Sequence, residues 1–280
     1  MSTFVDWLPV FAGLIGAGAL AGLLAGLLGV GGGIVVVPVL FLLFQSLGIS
    51  PATAMLVATS TSLLTIVPTS IASARAHHAR GNVDLTLFRA WLPAMLAGVL
   101  LGSITASSVN GLLLTGVFGT VAVVIALNTL LRPQAPPFAP ALPARRWQWL
   151  LAALIGGISV MMGIGGGTLG VTAMTAFNVP AHRAVGTAAL FGLVIALPGA
   201  LLMCLLPATP ADAPPGTVGA VNVPGFLALL PMTVLMAPLG VALGSRLRGI
   251  SLKRIFALFL LLVGARMLWQ VAPLLAGALE

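Results

Sequence analysis

Acidic residues are nearly absent. The 280-residue chain has four, Asp6, Asp84, Asp212 and Glu280, and each lies in a tail or a polar link rather than inside an apolar run. That excludes an Asp/Glu proton relay through a membrane span and leaves little to bind a metal ion or a protonated amine. Cysteine is down to Cys204, so no internal disulfide can form. Its place within an apolar run suits a small filler rather than a reactive thiol. No spacing matches a P-loop, a zinc site or a Gly-x-Ser-x-Gly nucleophile. With no catalytic acid, thiolate or metal cluster, the chain is read as no enzyme, with no cofactor and no metal. Residues 1–7 hold Asp6 and no Lys or Arg, so the positive start of a secretory signal is missing too. The first apolar run is therefore expected to belong to the mature protein.

Hydrocarbon is abundant instead. Hydrophobic residues make up 60% and charged residues 6%, with a mean hydropathy of +1.19. Soluble domains carry about 25% charged residues. The expected fold class is all-α: a polytopic helical membrane protein whose partner is the lipid bilayer. In a soluble chain the net charge of +8 would point to nucleic acid. Here the basic residues sit in short links between apolar runs, where they orient loops, so no nucleic acid is expected.

Ten apolar runs follow one another: 9–28, 34–47, 53–74, 85–106, 111–131, 147–162, 168–179, 184–206, 224–243 and 252–268. Between the fifth and sixth lies a basic, Pro-rich stretch that cannot span. The chain is accordingly divided into a first unit, 1–131, a cytoplasmic linker, 132–146, and a second unit, 147–280.

One short motif occurs in both units: Gly29-Val30-Gly31-Gly32-Gly33 and Gly163-Ile164-Gly165-Gly166-Gly167. Each interrupts a long apolar stretch. Glycine breaks a helix because it loses the most backbone freedom on folding, and irregular backbone at membrane depth survives only where it lines a cavity or packs on protein. Other landmarks recur in the same order. Gly81-Asn82-Val83-Asp84 matches Gly219-Ala220-Val221-Asn222, Pro93 and Gly102 match Pro231 and Gly240, and Thr59 is matched with Thr187. The two units are read as an internal repeat.

Charge then sets the topology. If each broken segment crossed once, four basic residues between 246 and 254 would fall outside, and the loop at 207–222, which has none, would fall inside. If each is a hairpin that enters and returns on one side, eleven of the twelve Lys and Arg residues lie inside. The positive-inside rule selects the hairpins, and the second arms, with 12 to 14 residues, are short of the roughly 20 a span needs. Each unit is then a hairpin plus three transmembrane helices, and the units are inverted relative to each other, a transporter architecture. Both termini are expected outside.

The short arms restart as helices at the glycines, and a helix start presents unpaired N–H groups and a partial positive charge. Two such starts meeting from opposite faces make a site for a small anion. The expected substrate-binding residues are Gly31, Gly32, Gly33, Gly165, Gly166, Gly167, Thr168, Thr59, Ser60 and Thr187. The bland alternative is that the glycines only allow close helix packing. Arg266, late in the last span, is a functional charge or a side chain snorkelling to the interface. His182 abuts the second hairpin and is a candidate gate. His77 and His78 are expected in a solvated basic link. Trp7, Trp147, Trp149 and Trp269 read as interfacial anchors.

The run Gly-Leu-Leu-Gly-Val-Gly-Gly-Gly at 26–33 followed by Pro38, the second glycine break, the stretch Pro-Ala-His-Arg-Ala-Val-Gly-Thr at 180–187 and Gly-x-Val-Asp at 81–84 resemble the sulfite exporter TauE/SafE family of bacterial membrane permeases over nearly the whole chain. Ala188 departs from the pattern, in which a serine usually follows Thr187. The resemblance implies transport of a small sulfur-containing anion, such as sulfite, a sulfonate or sulfoacetate, across the bacterial inner membrane, often outward. An anion channel of the same architecture stands as the alternative, and an intramembrane enzyme ranks lower. Which anion is carried, what drives it, and whether the protein is a monomer or a homodimer stay open at this level.

Overall fold

The computed structural model describes residues 4–29, 31–131, 137–244 and 250–276. Arg132, Arg246, Arg248 and Glu280 lie outside them, and the side chain of Trp7 is not described either. Ten α-helices follow in order: α1 (Phe4–Leu28), α2 (Gly33–Ser46), α3 (Pro51–His78), α4 (Leu85–Ser108), α5 (Gly111–Leu131), α6 (Arg145–Met162), α7 (Gly167–Ala176), α8 (Ala181–Leu205), α9 (Val223–Gly244) and α10 (Ile250–Ala276). Each of the ten apolar runs is one helix, because backbone in hydrocarbon must satisfy its own hydrogen bonds. Five of them, α3, α4, α5, α8 and α9, are long and apolar enough to cross a bilayer. The protein is a polytopic helical membrane protein.

Local chemistry sets the helix starts. Ser50 caps α3 by accepting from Thr53 N, with Pro51 at the first helical position. Asp84 caps α4 by accepting from Leu87 N at 3.0 Å, and Asn222 does the same for α9 from Gly225 N at 2.8 Å. A two-residue hairpin, β1 (Thr217–Val218) with β2 (Val221–Asn222), closes the loop before α9.

Small residues let helices of the two halves touch backbone to backbone. Along α1 and α9, Gly18 packs on Leu229, Gly22 on Thr233 and Gly26 on Ala237; along α4 and α6, Gly98 packs on Ala153 and Gly102 on Gly157. Both pairs run parallel. The third close pair is α5 with α10, through Gly119 and Gly264. At the centre α3 and α8 run antiparallel, Leu63 beside Gly199 and Ser70 beside Gly192.

These pairings place the ends. The start of α1 shares one end of the molecule with the α2–α3 turn, the 207–222 loop and the end of α10, where Gln45 and Gln270 exchange hydrogen bonds. The opposite end carries the α3–α4 link, residues 137–144 and the α7–α8 turn, and with them Arg75, Arg80, Arg145, Arg146 and Arg183. Residues 138–140 clasp the end of α7: Phe138 N donates to Ala176 O and Asn178 Nδ2 to Pro140 O. Each glycine-broken pair, α1 with α2 and α6 with α7, therefore enters and returns at one end, from opposite ends of the molecule.

Several boundaries differ from expectation, among them α1, which begins at Phe4 rather than at 9. Helix α3 runs one turn past Ala74 to His78. That turns His77 inward, where it is buried, its Nε2–H donating to Gly26 O at 3.0 Å and its Nδ1 facing Asn82 Nδ2. His77 is therefore not a solvated link residue, whereas His78 is exposed. Helix α6 begins at Arg145, inside the expected linker. The guanidinium groups of Arg145 and Arg146 lie over Trp149 and Trp147, at 5.5 and 5.7 Å, in cation–π contact within the first turns of the helix. Helix α10 extends well beyond 252–268 at its C-terminal end. The candidate anchors Trp147, Trp149 and Trp269 are all exposed.

Candidate functional site

The glycine breaks meet at the centre. A Cβ on Gly31 would lie 3.4 Å from Gly165 Cα, and a Cβ on Gly33 would strike Gly163 O. Ile66 of α3, fully buried, packs its Cγ2 against both Gly31 and Gly165. Only glycine permits backbones this close.

The breaks also need glycine for its conformation. Gly32 (φ +77°) and Gly166 (φ +67°) are left-handed, and each immediately precedes a helix, α2 or α7. A left-handed residue followed by a right-handed one turns successive N–H groups toward one point, the geometry of an anion nest. Neither helix start has a side-chain cap. Gly32 O accepts from Val35 N and Val36 N, and Gly166 O from Gly170 N. All six candidate glycines are buried.

Reciprocal contacts tie the breaks to the central helices. Gly163 packs on the backbone of Thr59 in α3, and Gly29 packs on the backbone of Val185 in α8. Thr61 Oγ1 accepts from Asn222 N at 2.8 Å, and Thr187 Oγ1 accepts from Asp84 N at 2.9 Å. These two contacts pair Thr187 with Thr61, not with Thr59.

The hydroxyls named from sequence divide. Thr59 donates to Met55 O and Leu56 O, and Ser60 to Leu56 O, so both are turned back into their own helix. Thr187 is engaged by Asp84 N. Thr168, the second residue of α7, is buried with no hydrogen-bond partner. Three serines absent from the sequence-based set stand at the second break. Ser62 donates to Gly163 O at 2.7 Å. Ser159 and Ser70 are buried and unpartnered. Single hydroxyls inside apolar runs carry no periodic signal. Only the position of Ser159, one helical turn before Gly163, sets it apart. His182 is exposed in the first turn of α8, and Arg266 is exposed on the outward face of α10. Neither reaches the glycine breaks.

At the end of the molecule that carries the 207–222 loop, Asp212 accepts from Thr53 Oγ1 at 2.6 Å and from Ser50 N at 3.1 Å. Those hydrogen bonds hold its carboxyl down at about 2. Asp212 thereby fastens the loop of the second half to the start of α3 in the first.

Comparison with known proteins places this architecture. A "Probable membrane transporter protein" of Haemophilus influenzae is 29% identical over 255 residues, covering 89% of this chain and 95% of that protein. The "Probable membrane transporter protein YunE" of Bacillus subtilis is 26% identical over 279 residues, covering 93% and 98%. No solved structure matches. The sequence pattern described as "Sulfite exporter TauE/SafE" matches residues 14–267. Ten helices, two buried glycine breaks in contact, and a match along nearly the full length lead to one conclusion: the chain belongs to the sulfite exporter TauE/SafE family.

Proposed function

We propose that the protein is a secondary transporter that exports a small sulfur-containing anion, such as sulfite, a sulfonate or sulfoacetate, by alternating access at the glycine breaks. The observation that carries this reading is the meeting of Gly31 with Gly165 beside two uncapped helix starts, α2 and α7, which approach from opposite ends. Broken helices meeting near the membrane centre, their partially positive starts aimed at one place, suit an anionic substrate. In this reading residues 1–131 and 147–280 are inverted units that rock against each other. The bonds Thr61–Asn222 and Thr187–Asp84 lie on opposite sides of the breaks, and each pathway opens by loosening one of them. The basic end faces the cytoplasm of a bacterial inner membrane, and both termini face outward.

The test is flux in proteoliposomes loaded with unlabelled sulfite or sulfoacetate. A transporter gives saturable uptake of labelled anion that accelerates when the same anion is present on the far side. Single-channel currents would convert the reading to an anion channel, and an absence of flux for every sulfur-containing anion would end it.

A further inference from the structure

We infer that the anion site is one-sided: it belongs to the second glycine break, where Ser70, Ser159 and Thr168 form it, and it selects singly charged oxyanions. This rests on the small-anion reading above and names its ligand class. Among the described residues four buried side-chain oxygens lack any hydrogen-bond partner: Ser70, Ser103, Ser159 and Thr168. Three of the four surround one break. Ser159 Oγ is 3.5 Å from where a Cβ on Gly166 would stand. Ser70 Oγ faces Gly192 so closely that a Cβ there would strike it, and that same point is 3.5 Å from Gly165 O. Thr168 sits in the first turn of α7, where N–H groups have no partner within the helix. Their exposures are 1% for Ser70, 0% for Ser159 and 6% for Thr168. Buried hydroxyls without partners are destabilising, and three around one helix start mark donors held for a ligand.

Among the described residues the first break has no unpartnered hydroxyl. Four residues before Gly29 stands Ala25, as Ser159 stands four before Gly163. Ile34 follows Gly33 as Thr168 follows Gly167. Nine residues after Thr187 stands Ala196, as Ser70 stands nine after Thr61. Five residues after Thr61 stands Ile66, which packs on Gly31 and Gly165 alike, whereas five after Thr187 stands Gly192. The hydroxyl nearest the first break, Ser62 Oγ at 2.9 Å from a Cβ on Gly33, already donates to Gly163 O, whereas those at the second break are unpartnered.

The charge class follows from what the hydroxyls are. Among the described residues no Lys or Arg is buried, so the donors are neutral dipoles. The penalty for taking an ion out of water grows with the square of its charge, while its attraction to fixed dipoles grows only in proportion. A sulfonate or bisulfite therefore fits, and sulfate stays in solution.

Isothermal titration of the purified protein with methanesulfonate and with sulfate tests this, using wild type, Ser70→Ala and Ser159→Ala. Methanesulfonate should bind wild type at least about tenfold more tightly than sulfate, and each substitution should weaken it about tenfold, the range of one hydrogen bond to a charged group. The unliganded melting temperature of each variant should stay level or rise, because an unpartnered group has been removed. If the variants bind as wild type does, if sulfate binds as tightly, or if the unliganded variants melt lower, the one-sided site is wrong while the transporter reading stands. If wild type binds neither anion, the small-anion reading falls and takes this inference with it.

Discussion

Ser62 and Ala188 stand one residue after Thr61 and Thr187, and only Ser62 has a hydroxyl to give. It spends that hydroxyl on Gly163 O, at the bend of the second break. Ser62→Ala leaves a buried carbonyl unpaired and should destabilise the protein by about 1–3 kcal/mol, read as a lower melting temperature in detergent. Asp212 makes a second prediction. Its carboxyl is held at about 2 against an ordinary value of 3.8, so the folded state favours the ionised form. The stability it lends is fully present above 3.8 and is lost as pH falls toward about 2. Asp212→Asn should lower the melting temperature at neutral pH, and the gap from wild type should narrow below 3.8 and close as pH approaches about 2 if linkage governs it. A gap that persists unchanged into acid would mean the side chain acts through shape alone. At this scale sequence was a partial guide. It placed Thr59 and Ser60, of the four hydroxyl residues at 59–62, among the binding residues. Thr59 and Ser60 bond back to their own helix, whereas Thr61 and Ser62 reach across to the other half. One hydroxyl run contains both kinds because a helix turns about 100° per residue, and which face meets the other half is decided by tertiary packing.

Helices were the most legible level. Ten apolar runs gave ten helices in order, and glycines at 29–33 and 163–167 gave two breaks, because hydrocarbon leaves backbone few options. Less legible were the ends: α3 carries His77 one turn past the apolar run, and α6 takes Arg145 and Arg146 from the linker, since polar side chains at the membrane surface do not stop a helix. How the helices touch was hidden as well, and it makes a third prediction. A Cβ on Gly98 would strike Ala153 O, while one on Gly116 meets nothing within 4 Å. Gly98→Val should push α4 off α6 and destabilise by about 1–3 kcal/mol, as overpacking does. Gly116→Ala should change stability by no more than about 1 kcal/mol, the helix-propensity difference. Equal effects at the two sites, in thermal unfolding of the purified variants, would mean that the α4–α6 contact does not carry the packing described.

The molecule as a whole joins two halves through the bonds Thr61–Asn222, Thr187–Asp84 and Asp212–Thr53. All three run between halves, beside the close helix packing, and hydrogen bonds of this kind can break and re-form as the proposed rocking requires. The distribution of Arg and Lys made the placement of ends readable, while the asymmetry of the hydroxyls was not, because it appears only once the two breaks lie against each other. A fourth prediction tests the orientation. With Cys204→Ser as background, Ala211→Cys should react with an impermeant thiol reagent added outside intact cells, and His78→Cys should react only after the membrane is opened. The opposite pattern would invert the protein.

The central claim is that the paired glycine breaks bind a small anion. Its most direct test is the melting temperature of the purified wild-type protein against sulfite, sulfoacetate, taurine, acetate, phosphate, thiosulfate and sulfate. A ligand at about 100 times its dissociation constant stabilises by about 2.7 kcal/mol. The account predicts an upward shift with sulfite at mildly acidic pH, where it is bisulfite, and with sulfonates carrying one negative charge. No shift with any anion, together with a shift from a cation or a neutral solute, would contradict it and leave the glycines as packing residues alone.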